Sequence, residues 1–240
     1  MIRRLHVPIL LTGETELEPG QVRHAREVLR LADGETVEVF DDHGAVAIGV
    51  LVFDGPRGAR VRVSEITASQ VAPIWTVASA VPKGERADWM VEKLSELGAT
   101  AFIPLIAARS VVVPEGKNKL ERWARIATES AKQSRRPGVM RIQRPTALGD
   151  ALHPVREGAM GICLSTSQDA ATIAIALSGH SANRELVLFV GPEGGWTEAE
   201  MGEFERAGAM AVRLTSTILR VETAAVAASA VIGTFLQLPP

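Results

Sequence analysis

From residue 74 onward the chain alternates short apolar runs with stretches of helical spacing, and few architectures accommodate that grammar. Ile74–Ala80, Ala101–Ile106, Met160–Leu164, Leu186–Val190 and Ala211–Leu214 read as buried strands. Between the first two, Glu85–Leu97 places Ala87, Met90, Val91, Leu94 and Leu97 on one helical face, with Gly98 as its stop. A second helix is predicted over Lys119–Ser134. Thr197-Glu-Ala-Glu200 has the form of a capping box, opening a helix that Gly208 ends, and Ala224–Leu236 is a last, largely apolar helix. Strands separated by helices imply an α/β fold, a parallel sheet with helices on its faces. Ligands in such sheets bind beyond the carboxyl ends of the strands. Three segments leave predicted strands at that end: 164–167, 191–195 and 214–220.

The first seventy residues follow a different pattern. Pro19–Leu31 reads as a short helix with Val22, Ala25, Val28 and Leu29 on one face. Thr36–Phe40, Ala45–Phe53 and Ala59–Ile66 are β-branched, partly alternating runs, separated by turn signals at Asp41–Gly44 and Asp54–Gly58. A small β module over residues 1–71, shaped like a barrel, would precede an α/β domain over 72–240. An apolar fraction of 46% supports packed cores. No apolar run approaches the roughly 20 residues that cross a bilayer, and Met1–His6 leads into no export signal. The one cysteine, Cys163, lies in an apolar stretch and reads as a buried small hydrophobe in a reducing, cytoplasmic compartment.

A net charge of -2 excludes a protein whose whole surface grips nucleic acid. The distribution is uneven: residues 1–72 carry -3, 83–144 carry +6 and 145–240 carry -5. The basic middle is either one cationic face for a phosphate backbone or an ordinary pair of solvated helices.

In Leu188–Trp196 the glycines at 191, 194 and 195 surround Pro192, letting backbone turn sharply and approach a ligand closely. An ordinary strand-to-helix turn has the same composition. The segment lacks the Gly-Lys-Ser/Thr of a phosphate loop and the spacing of a dinucleotide fingerprint. Glu193 would repel a phosphate, which favours an uncharged or cationic ligand such as a sulfonium. In Leu219–Ala225, Thr223 can cap the last helix and Glu222 complements its positive end. Arg220 stands among apolar neighbours, either paired with Glu222 or offered to a ligand.

These residues carry a resemblance. Gly191-Pro-Glu-Gly-Gly195 followed by Ile218-Leu-Arg-Val-Glu-Thr-Ala224 is similar to the C-terminal signature of the ribosomal small-subunit methyltransferase E (RsmE) family, one of the SPOUT methyltransferases. His24–Arg30, Lys83–Arg86 through Lys93–Gly98, and Glu129–Arg135 resemble further family segments in the same order. Thr215 stands where the family usually carries Gly, and Met140 where Pro is common. The resemblance implies an N-terminal PUA-like barrel, an α/β domain with a C-terminal trefoil knot, a homodimer, and transfer of a methyl group from S-adenosylmethionine to N3 of a uridine in small-subunit (16S) ribosomal RNA. A SPOUT enzyme acting on ribose 2′-hydroxyls or another base, and a non-catalytic RNA-binding protein, are the rival readings.

On that reading the cofactor lies against Leu164, Gly191, Pro192, Glu193, Gly194, Gly195, Leu214, Ile218, Leu219, Thr223 and Ala224. Arg220 stabilises the anion that develops as the imide proton leaves, and Glu222 is either a general base or a cap. RNA docking falls to Arg3, Arg4, Arg23, Arg30, Lys83, Arg86, Arg109, Arg122, Arg125, Lys132, Arg135 and Arg136. Sulfonium methyl transfer needs no metal, and the histidines are scattered rather than spaced as ligands. The last helix, apolar on more than one face, would join two copies.

Overall fold

A computed structural model describes residues 2–67, 74–114, 116–180 and 184–237. The chain forms two compact units, Met1–Ala72 with Thr128–Val139 and Pro73–Ala127 with Met140–Pro240. The boundary expected at 71/72 lies outside the described residues.

The first unit contains β1 (Arg3–His6), β2 (Gly13–Glu16), α1 (Pro19–Arg23), β3 (Thr36–Phe40), β4 (Val46–Asp54) and β5 (Gly58–Val63). Its sheet has the order β1-β3-β4-β5-β2, antiparallel except where β1 runs parallel to β3. Along β4 the side chains alternate as a half-buried strand requires. Ala47 and Leu51 point into the core with Val37, Val39, Val61 and Val63, while Ile48 and Val50 point outward. The predicted Asp41–Gly44 turn is organised by the Asp41 carboxylate, which accepts from the amides of Leu10, His43 and Ala45. The helix expected over Pro19–Leu31 is shorter and changes character: after α1, His24–Val28 form a π turn. The wider turn rotates the later residues, so Val28, expected inside, is exposed.

The second unit follows the predicted alternation. Its elements are β6 (Trp75–Ser79), α2 (Arg86–Glu96), β7 (Ala101–Ile106), α3 (Lys117–Ser134, of which the residues from Thr128 onward belong to the first unit), β8 (Arg141–Ile142), β9 (Thr146–Ala147), α4 (Leu148–Ala151), α5 (His153–Arg156), β10 (Met160–Leu164), β11 (Ala171–Thr172), α6 (Ile173–Ser178), β12 (Leu186–Val190), α7 (Glu198–Ala207), β13 (Met210–Arg213) and α8 (Val221–Gln237). The strand order is β11-β13-β10-β12-β6-β7-β8, with every pair parallel and β9 beside β7. One face packs Ala78, Ile103, Val187 and Phe189 against Leu148 of α4, Leu152 between α4 and α5, Val155 of α5 and Phe204 of α7. On the other, Phe102 meets Trp123 of α3 edge-to-face, and α8 lies across β6 and β12 beside α2. Burial of Ala87, Met90, Val91 and Leu94 along α2 follows the expected stripe. Cys163 is fully enclosed, and burial pushes its thiol up to about 12, so it packs as a hydrophobe. Among the described residues no helix is long and apolar enough to cross a membrane.

Candidate active site

The strands β13, β10 and β12 are neighbours in the sheet, so their carboxyl ends present three loops side by side. Residues 164–168, 190–196 and 214–219 from those loops line a cavity of about 600 Å³. The walls mix apolar surface from Leu164, Leu214, Ile218, Leu219, Val221 and Ala224 with backbone polar groups and the hydroxyls of Ser165, Thr166, Ser167, Thr215, Ser216 and Thr217. Such a lining suits a small organic ligand held largely by main chain.

The loops fix one another. The Trp196 indole N–H donates to the Leu164 carbonyl at 3.0 Å, joining the glycine loop to the end of β10. Gly191 sits against that ring: a Cβ there would stand 2.9 Å from indole Cε2, so the loop closes only with glycine. Phe204 packs edge-to-face on both Trp196 and Phe189, which seats the indole on the core. The Gly195 amide donates to the Pro192 carbonyl at 2.8 Å and tightens the turn. In the third loop the Thr215 hydroxyl donates to the Thr217 carbonyl at 2.8 Å, so the residue that departs from the family pattern braces the loop from within.

Two residues organise the glycine loop from below. Glu200 completes the predicted capping box with Thr197, accepting from its amide at 2.7 Å and its hydroxyl at 2.8 Å. Its other oxygen accepts from the Ala108 amide at 2.8 Å, a contact no local pattern indicates. Burial alone would raise the Glu200 pKa. The bonds from Thr197 and Ala108, with Arg109 nearby, hold it below the ordinary carboxylate range. The next residue, Arg109, donates to the Gly194 carbonyl at 2.7 Å and forms part of the cavity wall.

Of the residues expected at the cofactor, all but Thr223 line the cavity. Thr223 was also the expected cap, but α8 begins at Val221, with the Ala224 amide donating to the Arg220 carbonyl at 2.8 Å. Thr223 is therefore an exposed residue inside the first turn. Arg220 is exposed at the mouth of α8, outside the cavity wall. Glu222 does not pair with it: that carboxylate is buried and faces Arg86 of α2 at 3.7 Å. Removed from the cavity and set in the first turn, Glu222 serves the helix end and the α2–α8 junction.

The twelve expected docking cations divide between the units. Arg3, Arg23 and Arg30 are exposed in the first, as are Lys83 and Arg125 in the second. Arg4 is not available for docking: it is enclosed, paired with Glu38 at 2.7 Å, bonded to the Ala131 carbonyl and stacked on Phe40. Nor is Lys132, whose side chain is 8% exposed and paired with Glu129. Both are buried because neighbouring carboxylates and carbonyls repay their desolvation. Arg135 donates to the Ile2 carbonyl, Arg122 pairs with Asp88 at 2.6 Å, and burial lowers the Arg136 pKa to about 10, which leaves it charged at neutral pH. Arg109, expected at the RNA, stands instead in the cavity wall.

Residues 71–233 match the model of a family described as RNA methyltransferase domain. The ribosomal RNA small subunit methyltransferase E of Synechocystis sp. is 32% identical over 95% of this chain and 75% of its own length. The protein of that name from Mycobacterium bovis is 35% identical over 88% of this chain and 82% of its own. The chain belongs to the ribosomal RNA small subunit methyltransferase E family. A crystal structure of the methyltransferase E of Neisseria gonorrhoeae, bound to S-adenosyl methionine, superposes with a TM-score of 0.84 and 29% identity, covering 98% of each chain. The resemblance read from the glycine loop and the 218–224 segment is thereby shown to be membership of the methyltransferase E family.

Proposed function

We propose that this protein transfers the methyl group of S-adenosylmethionine to N3 of a uridine in small-subunit (16S) ribosomal RNA. The observation that carries the reading is the 600 Å³ cavity built from three loops at adjacent strand ends, in a chain with the fold of an S-adenosyl methionine-bound relative. The cavity fits that cofactor by chemistry as well as size. Apolar side chains from 164 and 214–219 offer a slot for a flat base, main-chain groups of 191–195 and 214–219 offer partners to its edges and ribose, and the acidic Glu193 suits a sulfonium better than a phosphate. When bound, the cofactor supplies an electrophilic methyl group.

The chain supplies the rest. Uracil N3 is an imide nitrogen that becomes nucleophilic as its proton leaves. Arg220, exposed at the mouth of α8 with no ion pair among the described residues, is the fixed cation that we assign to the developing anion. The three-loop wall orients the donor and keeps bulk water from one side of it. The exposed cations Arg3, Arg23, Arg30, Lys83 and Arg125 hold phosphates. We extend the reading to the family's PUA-like barrel for the first unit, a trefoil knot around the third loop, a homodimer joined through α8, and residence in the cytoplasm with the ribosomal RNA. The supports are the 98% mutual coverage with the Neisseria structure and the partly apolar surface of α8.

The test maps modified nucleosides by mass spectrometry in 16S ribosomal RNA from cells with and without this gene. Loss of one 3-methyluridine, restored by the purified protein and S-adenosylmethionine, is expected. Loss of a ribose-methylated nucleoside, or no loss at all, overturns the proposal.

A further inference from the structure

Arg109 and Glu193 are the charged side chains among the described residues lining the cavity, one of each sign. A cation in the wall is unexplained by a ligand whose best-known feature is a positive sulfonium. Arg109 is also held with unusual care for an exposed arginine. The main chain just before it is pinned twice: the Ala108 amide donates to the buried Glu200 carboxylate at 2.8 Å, and the Ala107 amide to the Ser110 hydroxyl at 3.0 Å. Its side chain lies flat on Gly194, where a Cβ would stand 3.2 Å from both Arg109 Cβ and Cδ. One guanidinium nitrogen, Nη1, is spent on the Gly194 carbonyl at 2.7 Å. The remaining N–H groups of the fork have no protein acceptor among the described residues. A planar fork held rigid with one edge satisfied and another open is a receptor for a carboxylate or phosphate oxygen.

We infer that Arg109 binds the carboxylate at the amino-acid end of the methyl donor, with Gly194 and Glu200 as the positioning residues that aim it. This deepens the proposed function and rests on it. A sulfonium donor of this kind carries an ammonium and a carboxylate on one carbon, so its far end needs one cation and one anion. The wall provides that pair at positions 109 and 193, in two segments that Arg109 itself ties together. A phosphate of the RNA is the competing occupant of the fork. The inside of the cavity wall, with the acidic Glu193 adjacent in sequence to Gly194, favours the zwitterion over a polyanion.

The experiment compares two ligands that differ only by the carboxylate: S-adenosylmethionine and decarboxylated S-adenosylmethionine, both titrated into the full-length protein by calorimetry. Wild type should bind the first at least about ten-fold more tightly, as a charge-assisted bond implies. In Arg109→Gln the affinity for the first should fall to nearly that of the second, while the second changes little. A Gly194→Ala variant, in which the new Cβ displaces the Arg109 side chain, should lose discrimination in the same direction, which keeps the inference testable if Arg109→Gln folds poorly. Discrimination that survives in both variants overturns the inference. Unchanged affinity for both ligands in Arg109→Gln, with weakened binding to 16S ribosomal RNA, hands the fork to a phosphate and overturns it too. Failure of wild type to bind either ligand sinks the proposed function itself, an outcome distinct from loss of discrimination alone.

Discussion

At the scale of single residues, the site depends on a few contacts that tolerate no extra atom and no missing charge. Gly191→Ala must push the new methyl into the Trp196 indole, 2.9 Å from Cε2, or move the ring off the Leu164 carbonyl. Overpacking of this kind costs about 1–3 kcal/mol. Urea denaturation should show that loss, and calorimetry should show weaker cofactor binding. Arg220→Ala should abolish methylation in a filter assay while cofactor affinity stays within about two-fold, because its side chain stands outside the cavity wall. Glu200 ties stability to pH with a definite sign. Its folded pKa lies below the unfolded value, so its contribution is present above the ordinary glutamate pKa of about 4.3 and is lost as pH falls through the lower folded value. Glu200→Gln should therefore lower stability at pH 7 and flatten the acid limb of a melting-temperature profile as pH falls below the ordinary glutamate range. The capping half of this residue was legible in Thr197-Glu-Ala-Glu200, since capping is a local pattern. Its bond to the Ala108 amide spans 92 positions and leaves no periodic mark. The same holds for Arg109, whose charge was visible but whose place in the wall depends on a distant glycine. Arg4 and Lys132 illustrate the converse error: a cation reads the same in sequence whether water or a carboxylate surrounds it.

At the scale of elements, periodicity served well wherever a segment buries a continuous face. The strands β6, β7, β10, β12 and β13 and the stripe of α2 fall within a few residues of expectation. Short pieces escaped because two to four residues carry no period: β8, β9, β11, α4 and α5 are of this kind. The π turn at His24–Val28 escaped for another reason, since it keeps helical composition while changing the angle between side chains. Helix α8 begins three residues before the expected Ala224 because Arg220 contributes the first accepting carbonyl and Thr223 caps nothing. Helix α7 acts as the platform of the glycine loop through Phe204, which is 1% exposed and touches both Phe189 and Trp196. Phe204→Ala should cost about 3–5 kcal/mol in urea unfolding. Cofactor affinity should drop with it, because the cavity it leaves lies under the indole that holds Leu164.

At the scale of the whole molecule, charge is apportioned rather than abundant. A chain of net charge -2 whose exposed cations include Arg3, Arg23, Arg30, Lys83 and Arg125 should bind RNA through a limited number of phosphates. Its affinity for 16S ribosomal RNA should fall with salt, the logarithmic slope being about 0.7 to 0.9 per phosphate neutralised. A salt-independent affinity measured by filter binding would remove these side chains from the docking surface. The alternation of strands and helices made the parallel sheet legible, yet the return of 128–139 to the first unit was not, because a helix of uniform spacing does not announce where along its length the neighbours change. The sheet order has a further consequence. The three cavity loops come from strands whose spatial sequence, β13-β10-β12, places the last-made strand at one side of the first-made, and the third wall ends only at Leu219. A nascent chain thus lacks one wall of the cavity until synthesis has passed Leu219, and a product that stops before β13 presents only two of the three loops.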